Sequence, residues 1–277
     1  MRDGHGDDLH CYEGIRANFS SNVTSLTLPT ALREHLRGEV DRIGSYPEPT
    51  ASSLADALAE HHRLDASEVL VTSGATEGIY LLAQAYRDLV HYYSPAPTFS
   101  EYKDAGSLFA RQQVQLETFE PQEDAPAGVY WLCSPNNPTG KVYPLEFLES
   151  LWIRFPHIYF VIDSSYSYFT QASLPDPSET IYRFSNVIFV TSLTKRYAMP
   201  GLRLGYVMAT REVIQRLSAY AAPWSVGSLA IAAGEWIVKH HFPHLLDRDQ
   251  LFAESRRLWH AINALPYFEP QPTETHF

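Results

Sequence analysis

The 277-residue sequence predicts an α/β fold: a mostly parallel mixed sheet of about seven strands with helices on both faces. Two observations predict it. From about residue 50, short apolar runs rich in β-branched residues alternate with segments of helical periodicity. Apolar strands separated by helices argue for a mostly parallel sheet covered on both faces. Clusters of Gly, Pro, Asn and Ser follow several of them, and open parallel sheets bind ligands beyond the carboxyl ends of their strands.

Residues 1–35 show no strand–helix unit and are expected to cover an active site or to join a small lobe. The segment 52–62 reads as a helix, with Leu54, Ala55, Leu58 and Ala59 on one face. A buried strand follows at 68–72 and turns at Ser73-Gly74 into a helix over 76–86. Further strands are expected at 90–93, 113–116, 129–133, 159–162, 187–191 and 205–209, with helices between most of them. Helices are expected at 211–220, 228–240 and 246–264, the last a connector leading out of a large domain. The expected division is an N-terminal segment 1–35, a large domain 36–245, and 246–277 as connector and start of a small C-terminal α/β lobe that is incomplete here.

The residues are 45% hydrophobic and 19% charged, which is globular, and the net charge of −11 disfavours nucleic acid and anionic membranes as partners. Cys11 and Cys133 are too few for a disulfide framework and read as free thiols of a reducing compartment. The polar N-terminus lacks the apolar core of a signal peptide, and apolar runs such as 158–162 are too short to cross a bilayer. A cytoplasmic location is the expectation. The 12 histidines include the pairs His61-His62 and His240-His241, with His244 nearby. Adjacent residues on a helix point about 100° apart and rarely share an ion, so these pairs read as solvated faces and no metal site is expected.

The string SLTKRYAMPGLRLGY (192–206) follows the strand at 187–191. It sets Lys195 beside the hydroxyls of Ser192 and Thr194, with Arg203 eight residues on. An imine-forming lysine needs desolvation and nearby positive charge to lose its proton near neutral pH, and a phosphate needs hydroxyl donors and a guanidinium fork. Taken singly, Lys195 would be a surface lysine on a loop.

The whole string resembles the Schiff-base motif of the class I/II aminotransferases, the fold-type-I family of pyridoxal-5′-phosphate (PLP) enzymes, and four further segments in the family's order strengthen the resemblance. It implies that Lys195 bonds PLP covalently and that Ser192, Thr194 and Arg203 hold its phosphate. Ser73-Gly74-Ala75-Thr76 resembles the family's phosphate-binding turn, implying Gly74, Ala75 and Thr76 at a helix N-terminus; alone, such a turn is also an ordinary tight connection. In PTFSEY (97–102), Phe99 matches the ring-stacking position and Tyr102 is second, with a core aromatic as its other reading. SPNNPTG (134–140) implies Asn137 against the cofactor's 3-oxygen, and its two X-Pro bonds are candidates for cis geometry. Asp163 would pair with the pyridine nitrogen, and Tyr166 would join Asn137 at the 3-oxygen. The family often has Asp-Glu-Ala where this chain has Asp163-Ser164-Ser165, which spares both positions. Gly44-Ser45-Tyr46-Pro47 resembles the segment whose tyrosine crosses a dimer interface to the neighbour's phosphate, implying a homodimer; a surface turn is the other reading.

Within the family, the chain is most similar to threonine-phosphate decarboxylases of cobalamin biosynthesis and next to histidinol-phosphate aminotransferases. PTFSEY, the Lys195 string and Pro223-Trp224-Ser225-Val226 carry that similarity, with Asp7 and Gly227 as departures. His5, Gly6 and Asn22 resemble residues that lie by the decarboxylase substrate, and Tyr46 and Asn137 would border it too. The resemblance implies a further small domain carrying a carboxylate-binding arginine. No arginine follows Arg257, so the expectation is a truncated C-terminus. A PLP-binding module without catalysis is the alternative from another class.

Overall fold

The computed structural model describes residues 11–23, 28–240 and 247–277. Its centre is a seven-stranded sheet ordered β1-β7-β6-β5-β4-β2-β3. The strands are β1 (Val69–Thr72), β2 (Val90–Tyr93), β3 (Gln112–Gln115), β4 (Gly128–Cys133), β5 (Ile158–Asp163), β6 (Val187–Ser192) and β7 (Gly205–Met208). All neighbours are parallel except β7, which runs antiparallel to both β1 and β6. The fold is therefore α/β with a mostly parallel mixed sheet, and the strand positions expected from apolar runs agree with it to within a residue or two.

Burial explains the pattern of the runs. Every residue of β4 is buried, as a central strand covered on both faces requires. Alternate residues then feed two cores. Phe160 and Ile162 of β5, with Phe189 of β6, join Leu54, Leu58 and Trp152 on one face. Val161, Ile188 and Val190 join Ile79, Leu82 and Leu217 on the other. The edge strand β3 (QQVQ) is polar and mostly exposed, which discourages pairing with another chain.

The helices are α1 (Thr30–Gly38), α2 (Ser52–His62), α3 (Ala75–Ala85), α4 (Glu101–Phe109), α5 (Leu145–Arg154), α6 (Pro177–Arg183), α7 (Arg211–Ser218), α8 (Ser228–Lys239) and α9 (Arg248–Asn263). None among the described residues is long and apolar enough to cross a membrane. The Glu48 carboxylate caps α2 by accepting from the Ser53 N–H (2.8 Å) and the Ser52 hydroxyl (3.1 Å). Leu54, Ala55, Leu58 and Ala59 face the core, as their spacing predicts.

Two expectations are corrected. Residues 30–38 form α1 rather than an irregular segment, so a division at residue 35 falls inside a helix. The signal was the stripe Leu28, Leu32 and Leu36, hidden among charged neighbours: Leu32 is fully buried, and the other two pack on the same core. His35 ties α1 to α8 by a hydrogen bond between Nε2 and the Ala232 carbonyl (3.2 Å). His62 is not on a solvated face: its ring is largely buried, with Nε2 3.0 Å from the Tyr206 hydroxyl. The segment 273–277 is tied to the loop after β4: the Glu274 N–H donates to the Gly140 carbonyl and its carboxylate accepts from the Val142 N–H. His5, Gly6, Asp7, His241 and His244 lie outside the described residues.

Candidate active site

Because β1, β4, β5 and β6 share one direction, the loops leaving their carboxyl ends converge at one edge of the sheet. The resulting cavity is lined by Ala75 and Thr76 from the start of α3, Phe99, Asn137, Asp163 and Tyr166, and Ser192, Thr194, Lys195 and Arg203. These residues come from five separate stretches of sequence.

Asp163 closes β5 and is 4% exposed. Tyr102 donates its hydroxyl to Oδ2 at 2.8 Å, and the Ser165 N–H donates to Oδ1 at 2.9 Å. Burial pushes the Asp163 pKa up, while hydrogen bonds from Ser165 and Tyr102 and the charge of Lys195 pull it back. Tyr102 is therefore a core aromatic, stacked on Trp131 at 5.7 Å, rather than a ring on the cavity; Phe99 takes that place.

The loop after β4 has cis bonds at Ser134-Pro135 and Asn137-Pro138. Asn136 spends its side chain inside the protein. Its amide donates to the Pro97 carbonyl (3.0 Å) and the Thr139 hydroxyl (2.8 Å), and its oxygen accepts from Thr98 (2.8 Å). That ties the loop to the segment bearing Phe99 and leaves the second asparagine, Asn137, on the cavity. Asn22 donates to Asn137 Oδ1 at 3.1 Å and is also hydrogen-bonded to the Tyr166 hydroxyl. Burial pushes the Tyr166 pKa up, so the phenol keeps its proton at neutral pH.

Gly74 caps α3 with φ +83°, a left-handed backbone that glycine adopts without strain. A Cβ there would lie 2.7 Å from the Arg203 guanidinium, so the bare backbone is what admits the arginine. The Lys195 segment folds back through Leu193 N–H to the Leu204 carbonyl (3.1 Å), returning Arg203 to the cavity. Ser192 and Thr194 share a hydroxyl hydrogen bond of 2.7 Å. Two hydroxyls, a guanidinium and the N-terminus of α3 thus line one cavity, the chemistry of an anion site.

Tyr46 stands apart: it is 85% exposed and rests on Trp224, with ring centroids 5.4 Å apart. Sequence reasoning missed Cys133 and Ser165 on the cavity wall, although Ser165 sits between Asp163 and Tyr166 and Cys133 immediately precedes the SPNNPTG loop. It also missed the C-terminal segment, in which the Phe277 ring packs on Tyr166 (4.8 Å) and His276 on Phe169 (4.3 Å). No local signal marks that contact. Among the described residues, no group of three or more His, Cys, Asp or Glu could hold a metal ion.

Three comparisons bear on the site. The family model described as aminotransferase class I and II matches residues 16–277. Among curated proteins, a histidinol-phosphate aminotransferase of Staphylococcus haemolyticus is 28% identical over 98% of this chain and 80% of its own length. A threonine-phosphate decarboxylase of Salmonella typhimurium is 29% identical over 94% and 75%. Among solved structures, the L-threonine-O-3-phosphate decarboxylase of Porphyromonas gingivalis superposes with a TM-score of 0.87 at 31% identity, covering 92% of this chain and 83% of that one.

Proposed function

The chain belongs to the aminotransferase class I and II family, and from that premise we propose a PLP enzyme that decarboxylates a small amino acid carrying a phosphate, of the L-threonine-O-3-phosphate type. The observation that carries the cofactor is the polarity of the cavity. A buried carboxylate, the Gly74–Arg203 cradle, the hydroxyls of Ser192 and Thr194, and Lys195 all line one space. These groups fit PLP, which has a basic ring nitrogen, a phosphate and an aldehyde for an amine.

PLP supplies, when bound, an electron sink for the pair left at the substrate's α-carbon. The chain's own residues do the rest. Asp163 keeps the ring nitrogen protonated by offering a desolvated negative charge. Asn137 and Tyr166 would hold the cofactor's 3-oxygen by donating to it, and Phe99 would pack against its ring. Gly74, Ala75, Thr76, Ser192, Thr194 and Arg203 hold the phosphate through N–H, O–H and guanidinium donors. Lys195 would be the amine that holds the cofactor's aldehyde and would carry a proton to or from the substrate's α-carbon. Asn22, hydrogen-bonded to Asn137, would border the substrate. Tyr46 reaches the neighbouring subunit's phosphate in a homodimer. Residues 246–277 lead from the large domain into the small lobe.

Similarity to a solved decarboxylase at 31% identity supports loss of the carboxylate. The second reading, transamination of a histidinol-phosphate-like amine, is supported by the match over 98% of this chain. The test is the absorption spectrum with PLP beside a Lys195→Ala variant, followed by addition of L-threonine phosphate or histidinol phosphate. A Lys195-dependent band with carbon dioxide released from threonine phosphate is the expected result. Amino transfer to a 2-oxo acid instead selects the second reading. A folded protein with no such band refutes both.

A further inference from the structure

The family assignment leaves open how this chain keeps Asp163 charged in a dry setting, with serines where the family often has Glu-Ala. We infer that Tyr102 and Ser165 are positioning residues that hold the Asp163 carboxylate as an oriented anion facing the ring-nitrogen position. The inference rests on the PLP reading above and deepens it.

Tyr102 is 1% exposed and touches the carboxylate rather than the cavity: its hydroxyl donates to Oδ2 at 2.8 Å from the core side. Ser165 holds the other oxygen through its N–H at 2.9 Å, and its hydroxyl also bonds the carboxylate while accepting the Ser192 N–H at 3.1 Å. A carboxylate has two oxygens with about four acceptor sites. Donors on both oxygens fix its plane, and they stabilise the charged form that burial would otherwise neutralise.

Tyr102 is itself locked. Its ring stacks on Trp131 with planes 17° apart and meets Phe99 edge-on, with centroids 5.6 Å apart. The Trp131 indole N–H donates to His91 Nδ1 at 3.3 Å, which leaves His91 Nε2 to donate to the Tyr86 carbonyl at 3.2 Å. His91 is fully buried, so the contacts His91–Trp131–Tyr102–Asp163 run through the core and end on the carboxylate. The same ring supports Phe99, coupling the stacking face to the charge.

The readout is the ratio of dissociation constants for 1-deaza-PLP, in which C–H replaces the ring nitrogen, and PLP itself. Wild type is expected to prefer PLP, and Asp163→Asn to abolish the preference. Tyr102→Phe keeps the ring and removes the donor, and is expected to cut the preference about tenfold; Ser165→Ala is expected to cut it about threefold. A merely structural role would weaken both ligands equally and leave the ratio unchanged. Should Tyr102→Phe fail to fold by circular dichroism, Ser165→Ala carries the test, being a small loss next to an intact N–H donor. A preference kept within twofold in the folded variants overturns the inference while leaving the PLP reading intact. No preference in wild type refutes the role of Asp163 itself, and the inference with it.

Discussion

Gly74 shows how much one missing methyl group can decide. Its φ of +83° and the 2.7 Å between a built Cβ and the Arg203 guanidinium set two penalties on any side chain there. Gly74→Ala should cost about 1–2 kcal/mol of stability through the left-handed backbone. It should also weaken PLP binding by roughly tenfold or more, since a displaced guanidinium loses a charge-assisted bond. Thermal unfolding and a PLP titration check the two parts separately. His62 carries a different kind of prediction. Burial, followed by the charge of His61, lowers its pKa to about 4 from 6.5. The unfolded chain therefore takes up a proton below pH 6.5 that the folded ring refuses, so stability falls between pH 6.5 and 4 and is unaffected above. The loss attributable to His62 should reach about 2 kcal/mol at pH 5. His62→Gln should flatten that slope in urea unfolding at pH 7.5 and 5, whereas an unchanged slope would mean that the ring is solvated. Asp163, raised by burial, has the opposite sign, and the wild-type-minus-variant difference removes it.

At the scale of elements, α1 is the segment whose attachment is most exposed to a single change. It rests on α8 mainly through Leu32, which is fully buried, and the His35 contact to the Ala232 carbonyl. Leu32→Ala should cost about 3 kcal/mol, read as a lowered urea midpoint. It should leave PLP affinity within a factor of two, because nothing in the cavity lining comes from α1. A large loss of PLP binding would mean that α1 shapes the site. Sheet and helices were legible because their signals are local. The stripe Leu54, Ala55, Leu58 and Ala59 and the all-buried β4 need only their own segments. α1 was illegible for the converse reason: its two leucines, Leu32 and Leu36, lie among seven polar or small residues, and only the packed core reveals that they share a face with Leu28.

At the scale of the molecule, Tyr46 and Trp224 form an exposed aromatic pair, with Trp224 49% exposed. If Tyr46 serves the neighbouring subunit's site, Tyr46→Ala and Lys195→Ala are each impaired at different sites of a dimer. Mixing them should restore roughly a quarter of wild-type turnover, since half of randomly mixed dimers carry one intact site. Turnover of the phosphate substrate that shifts the spectrum is the measurement. Absence of recovery, with dimers shown by sedimentation, would place Tyr46 outside any active site.

What the residues determined alone is the local chemistry: a lysine between hydroxyls, a glycine before a helix, two asparagines between prolines, and an aspartate ending a strand. Each of these motifs is contiguous, so its meaning survives without a partner. The tertiary structure decided which of two asparagines faces the cavity, by spending Asn136 on Pro97, Thr98 and Thr139. It also decided that Tyr102 serves Asp163 across 61 residues of sequence, and that the C-terminal segment rests on Tyr166. Those pairings depend on strand register and helix packing, which bring distant residues within hydrogen-bonding reach only after the sheet has closed around its core.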